Sequence, residues 1–417
     1  MTVVNNIEID NIQYQRNIIK DAIENNEPIE GKLHVIIVIS NPCLFARRYI
    51  LLKEFVQRME LEESNIHLYV VELAYGKQKF IVTDSKNKKH LQIRTEHPLW
   101  HKENMINVGI KKLLPQDWNA VAWIDADVEF ESPTWVKDTL KILNGSKDII
   151  QLFSHCVDMD QHEEAMNIFP SFGFQYTKQL PYSKKPVNFW HPGYAWACTR
   201  KTYEMMGGLY EKGILGSGDN IMALSFVQKA KYAINENYTE DYKNSIYEFQ
   251  NKVKTVRIGY VPGIIRHYYH GSKKNRNYTN RWKMLVDHNF SPITHITVDE
   301  NGILIPTESC PTGLLNDIND YFKSRNDDEM YEGGDYSKKV RSFPSLRSLS
   351  SINSINTISS LDEDADSDKH SKSDSDKRDL ENKKNGKTVG PWFSGMMNRV
   401  LRIWDSFVNP SCNADQN

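Results

Sequence analysis

No apolar run in this sequence reaches the length that a membrane-spanning helix needs. The first ten residues lack the basic-then-apolar pattern of a secretory leader, so no export signal is expected. Cysteine is scarce: five residues, odd in number and scattered, without the paired spacings of a zinc site or a disulfide framework. A reducing, cytoplasmic setting is the expectation. Excess charge is missing too. Lys and Arg number 52 against 54 Asp and Glu, a net charge of −2, so no overall positive field draws the chain to nucleic acid. Apolar content is low for 417 residues, at 39%, with a mean hydropathy of −0.59. Part of the chain is therefore expected to stay unfolded.

Against these absences, one stretch concentrates the signals. Ala120 to Ile124 is apolar throughout and reads as a buried strand. Asp125 and Asp127 follow at once, with one small residue between them. In open α/β sheets, ligands lie outside the carboxyl ends of the strands. A carboxylate pair there suits a hard divalent cation that keeps open positions for phosphate oxygens.

The flanking chain supports such a sheet. Leu33 to Ile39 reads as a first strand, Phe45 to Met59 as a helix and His67 to Leu73 as a second strand, which makes a βαβ unit. Phe80–Thr83 and Leu91–Arg94 look like short strands around a basic turn. Leu99 to Leu114 reads as a helix, with Asn104 and Asn107 on one face. From Met166 to Trp196 the chain is rich in aromatics and turns. There Trp190, Gly193 and Tyr194 are the expected ligand-facing residues, because aromatic faces stack on sugar C–H groups. Asp219 stands at the start of a helix behind two glycines. It is either that helix's N-cap or a rigidly held catalytic carboxylate. His270 precedes Gly271 and the cations Lys273, Lys274 and Arg276, a combination that suits a manganese-like ion and a departing diphosphate. His267 and His270, three apart in an extended segment, are expected to point to opposite sides and not to share an ion.

After about Asp327 the composition shifts to Ser, Asp, Lys and Asn, which cannot bury enough apolar area to fold. The expected organisation is an N-terminal extension over 1–30, a catalytic domain over 31–327, a disordered low-complexity linker over 328–390 and an amphipathic helix over 391–409. The apolar side of residues 391–408 suits docking on the domain, on a protein partner or on a membrane surface.

Taken in order, Trp100-x-Lys-Glu-Asn with Asn107-x-Gly109, the Asp125-Ala-Asp127 motif, Gly207-Gly208-Leu209 with Gly216-Ser-Gly-Asp219, and His270-Gly-Ser-Lys-Lys-Asn-Arg resemble the GT-A fold glycosyltransferases, which are metal-dependent and use nucleotide sugars. The resemblance spans roughly Leu33 to Asp327. It implies a Rossmann-like α/β domain with a mostly parallel central sheet flanked by helices. It implies Asp125, Asp127 and His270 as metal ligands for Mn2+ or Mg2+, and Asp219 as the catalytic base. It further implies Ser40, Asn41, Arg47, Glu72, Lys102, Asn107, Lys273 and Arg276 around a nucleoside-diphosphate sugar. The acceptor would be a glycan, a protein or a small molecule, met by Trp190, Gly193 and Tyr194.

Two other classes are weighed. A nucleotidyltransferase making nucleotide sugars would need a glycine-rich cationic loop after the first strand, and Ser40 to Arg48 has no glycine. A non-catalytic carbohydrate-binding scaffold would hydrolyse no donor.

Overall fold

Leu33–Ser40 is apolar almost throughout because it is covered on both faces. Val35, Ile37 and Ile39 enter one core and Ile36 enters the other. The computed structural model of the chain describes residues 27–182, 190–278 and 280–329, and the backbones of Val3–Val4 and Ile7–Glu8. These belong to one unit, Met1–Lys338. The rest of residues 1–26 of the expected extension, the linker beyond 329 and the helix expected over 391–409 lie outside the described residues.

In chain order the strands are β1 (Val3–Val4), β2 (Ile7–Glu8), β3 (Leu33–Ser40), β4 (Ile66–Tyr75), β5 (His90–Thr95), β6 (Ala120–Ile124), β7 (Val128–Phe130), β8 (Ile149–Gln151), β9 (His155–Met159), β10 (Ala165–Pro170), β11 (Ala195–Thr199), β12 (Ile258–Tyr260), β13 (Ile264–His267), β14 (Ile296–Val298) and β15 (Leu304–Pro306). The helices are α1 (Ala46–Glu62), α2 (Lys102–Leu113), α3 (Trp135–Leu143), α4 (Phe172–Thr177), α5 (Arg200–Met206), α6 (Gly218–Phe226), α7 (Glu240–Lys252), α8 (Trp282–Asp287) and α9 (Thr312–Ser324).

The central sheet runs β12-β8-β11-β6-β3-β4-β5. It is mostly parallel, and β11 alone runs against both its neighbours. The expected mixed α/β architecture with a large, mostly parallel sheet is what the chain forms. Alternation sends Val121 and Trp123 of β6 into one core, with Met105 and Ile106 of α2. It sends Ala120, Ala122 and Ile124 into the other, with Phe55 of α1 and Trp135 of α3. Burying a large apolar side chain contributes roughly 1.5–3 kcal/mol, against about 1 kcal/mol net for a ladder hydrogen bond. Side-chain burial thus holds β6 in place more than its ladder does. Gly109 lets α2 lie close on the sheet, since a Cβ there would stand 2.8 Å from a Val71 methyl.

Because β11 is reversed, its first residue, Ala195, pairs with Ile124, the last of β6. The exits of β3, β4 and β6 and the entry of β11 therefore share one edge. Beyond that edge lies a second sheet, β10-β9-β13-β7. Among the described residues no helix is long and apolar enough to cross a membrane.

Some local expectations are corrected. Phe80–Thr83 is a loop, because the amides of Ile81, Val82 and Thr83 all donate to the Glu72 carboxylate at 2.7–3.1 Å. Those donors are then lost to any strand ladder. Asp219 is not the N-cap of α6. That position is Ser217, with φ +67, and Asp219 lies inside the first turn. Gly207, with φ +73, closes α5 as a left-handed cap.

Candidate functional site

Strand register assembles the centre of the site. Asp127 lies just before β7, whose first residue, Val128, pairs with His267 at the end of β13. His267 pairs on its other side with Asp158 of β9. Asp127, His267 and Asp158 thus stand side by side on three neighbouring segments. After His267 the strand ends, and the Tyr268 amide donates to the Asp127 carbonyl at 2.8 Å. The chain bends there, and His270 returns to the same side. Asp127, His267 and His270 each offer a ligand atom, all within 4.8 Å of one another. The expectation that the two histidines would not share an ion is therefore overturned, because only His267 is in the strand.

The donor set fits a divalent cation. His270 Nε2 is 2.8 Å and His267 Nε2 3.8 Å from Asp127 Oδ2. His267 Nδ1 lies 2.7 Å from Asp158 Oδ1, so the ring donates backwards and turns Nε2 toward Asp127. A carboxylate behind a metal-binding histidine fixes its tautomer in this way. Asp158 is buried and also ion-paired with Lys273. Asp127 Oδ1 is buried and accepts no hydrogen bond from the described residues. A buried carboxylate oxygen without a partner is costly unless something positive meets it.

The electrostatics agree. Burial, then the Arg276 guanidinium, pushes His270 down to about 3, against the pull of Asp127. The ring is held in its neutral form, the form that binds a metal ion through a lone pair. Burial alone would raise Asp127, but His270, His267 and Arg276 outweigh it and hold its carboxyl well below the usual range. Tyr194, the residue before β11, closes the site. Its ring stacks on His191 at 4.4 Å and tilts against His267 at 4.6 Å. Its φ of +81 is unusual for a residue with a side chain and is held by this ring contact and by its carbonyl, which accepts the Asp125 amide at 2.8 Å.

Beside this group is a pocket lined by Lys102, Glu103, Gly193, Tyr194, Asp219 and Met222 among others. Lys102 is ion-paired with Asp125, which links pocket and metal group. A Cβ on Gly193 would lie 3.0 Å from Asp219 Oδ2, so this glycine makes room for that carboxylate.

The expected residues divide. Asp127 and His270 are in the metal group, whereas Asp125 is turned to Lys102 instead. Asp219, Lys102, Gly193 and Tyr194 share the pocket. Lys273 and Arg276 stand next to the metal group, on Asp158 and on the His270 ring. Arg47 donates through Nε to the Tyr269 carbonyl at 3.0 Å, bracing the same bend. Ser40 ends β3, and Arg48 reaches its carbonyl at 3.3 Å. The Asn41 amide both donates to and accepts from the Phe45 backbone, at 2.8 and 3.0 Å.

Three expected residues are otherwise engaged. Glu72 holds the 81–83 loop. Asn107 accepts from Leu209 N and Tyr203 OH and donates to Leu209 O and Glu211, clamping the turn after α5. Trp190 is buried edge-on against Phe172 and Tyr182 at 5.1 and 5.5 Å. The reading by sequence missed His267 and Asp158. The His-x-x-His spacing was visible, but the strand pairing that brings Asp158 alongside was not.

No protein-family model matches the chain, and no curated protein does. Among solved structures, one match is a mutant β1,4-galactosyltransferase 7 from Drosophila in complex with manganese, UDP-Gal and xylobiose. It is 11% identical, covers 69% of this chain and 98% of that one, and has a TM-score of 0.33. That likeness is too distant to carry an argument about fold or chemistry.

Proposed function

We propose that this chain is a metal-dependent glycosyltransferase of the GT-A kind, moving a sugar from a nucleoside-diphosphate sugar to an acceptor hydroxyl. The observation that carries the reading is the convergence of Asp127, His267 and His270 at the edge where β6 ends, with Asp158 fixing one imidazole from behind. Two imidazoles and a carboxylate form a donor set for manganese, with magnesium a poorer match to nitrogen. The chemistry a divalent cation supplies at such a site is neutralisation of the diphosphate leaving group.

The chain's own residues do the rest. Lys273 and Arg276 keep positive charge next to the leaving group, where negative charge grows as the bond to the anomeric carbon breaks. Tyr194 and Gly193 bound the space between metal group and pocket. Asp219 takes the proton of the acceptor hydroxyl as its oxygen bonds to that carbon. Ser40, Asn41 and Arg47, around the end of β3, would cradle base and ribose. Work in the cytoplasm, with residues 391–408 as a docking helix, remains part of this reading.

The test is donor hydrolysis by the full chain against a panel of nucleoside-diphosphate sugars, with manganese and with chelator. Slow release of nucleoside diphosphate from one donor, dependent on manganese, is expected. No release from any donor, or release only from triphosphates, would refute the assignment.

A further inference from the structure

The pocket beside the metal group holds a carboxyl that the transfer chemistry above leaves unused. Glu103, in the first turn of α2, is 4% exposed. It nevertheless lines the pocket with Asp219. Among the described residues no side chain hydrogen-bonds to it, and the one backbone group that reaches its carboxyl is its own amide. A buried acid in that state is expensive unless it meets a ligand.

A glycine marks the spot. A Cβ on Gly218 would lie 2.5 Å from Glu103 Cδ and 2.6 Å from Oε1. Gly218 is outside the left-handed region, so its backbone conformation does not call for glycine. Space does. Gly193 and Gly218 thus each admit one carboxyl group, Asp219 against the first and Glu103 against the second. The two acids come from different helices, α6 and α2, and meet across one pocket. Lys102 lies in the same wall and holds Asp125. Ile106, Trp123, Trp196 and Met222 complete the lining with apolar surface.

We infer that Glu103 is the second acidic residue of the acceptor pocket, that it contacts the acceptor beside Asp219, and that the pocket takes a single hydroxyl of a sugar. The inference rests on the transferase reading. Two carboxyl groups lining one small pocket can accept hydrogen bonds from the same hydroxyl. Burial, with the like charge of Asp219 adding to it, lifts Glu103 to about 7 against the pull of Lys102. In its protonated form the group also donates, so it can hold a hydroxyl from either side.

The experiment measures transfer by the full chain with the donor found active in hydrolysis. The acceptors are a panel of free mono- and disaccharide glycosides, and the best of them is carried forward. Manganese-dependent binding of the corresponding nucleoside diphosphate checks that each variant is folded with its donor site formed. Glu103→Gln keeps the shape and is expected to raise acceptor KM more than tenfold while donor KM moves less than threefold. Glu103→Ala is expected to do the same, and adding Gly218→Glu, which returns a carboxyl from the other side of the contact, should bring acceptor KM back toward the parent's.

An unchanged acceptor KM in Glu103→Gln would overturn the inference. So would a double variant no better than Glu103→Ala, or a parent that hydrolyses donor but uses no glycoside; in these cases the transferase reading stands. A parent that hydrolyses no donor removes both.

Discussion

Asp127→Ala is expected to lower manganese-dependent donor turnover on the order of 10³-fold, the rate equivalent of the several kcal/mol that metal neutralisation of a leaving group supplies. The fold should survive. Asp127 gives up one close contact, to the His270 ring, and among the described residues its other carboxylate oxygen has no partner to lose. Burial and Arg276 keep the His270 ring neutral, so no buried charge is stranded by the change. The check is steady-state hydrolysis across a manganese titration, read beside thermal melting without metal. A variant with the parent's turnover and manganese dependence would show that the cation does not work at Asp127. A variant that melts far below the parent would show that the carboxylate is structural.

Asp219→Asn is expected to lower transfer to acceptor by about 10²–10⁴-fold, the usual range for losing a general base. Nucleoside diphosphate binding should persist, because Asp219 is in the pocket and not in the metal group. The present geometry suits such a role. Among the described residues Oδ1 accepts only the neighbouring Asn220 amide, at 2.7 Å, and Oδ2 faces Gly193. Single-turnover transfer separates the two steps. Equal losses of binding and transfer would make Asp219 a donor-site residue. An unaffected transfer rate would leave the proton to another acceptor, with Glu103 the other carboxyl in the lining.

How far the sequence reaches differs between fold and site. The sheet was legible where strands are continuous apolar runs, as in Leu33–Ser40 and Ala120–Ile124, because both faces are buried and no polar residue interrupts them. Asp127 was legible for the same reason, since it follows such a run. The failures share a cause. Phe80–Thr83 has strand composition, but the Glu72 carboxylate, nine to eleven residues earlier, takes the amides of Ile81, Val82 and Thr83. Asn107 has the residue type of a ligand contact, but the backbone of Leu209, distant in sequence, satisfies it on both sides. Asp158 and His267 meet only through the pairing of β9 with β13, 109 residues apart. Periodicity reports which way a side chain faces along its own strand. It carries no information on which strand becomes the neighbour.

Glu103 is the instructive case on the other side. It was present in the Trp100-x-Lys-Glu-Asn stretch, and the absence of an acid before Asp219 was visible in Gly216-Ser-Gly-Asp219. Only the fold joins the two, by laying the first turn of α2 against the first turn of α6.

The measurement that reaches the central claim most directly is anomalous diffraction from crystals of the full chain grown with manganese and a nucleoside diphosphate. The account predicts one strong manganese peak within coordination distance of Asp127 and both imidazoles, His267 and His270, with a diphosphate oxygen completing the shell. A peak bound to Asp125 but not to His267, or no peak at saturating manganese, would contradict it.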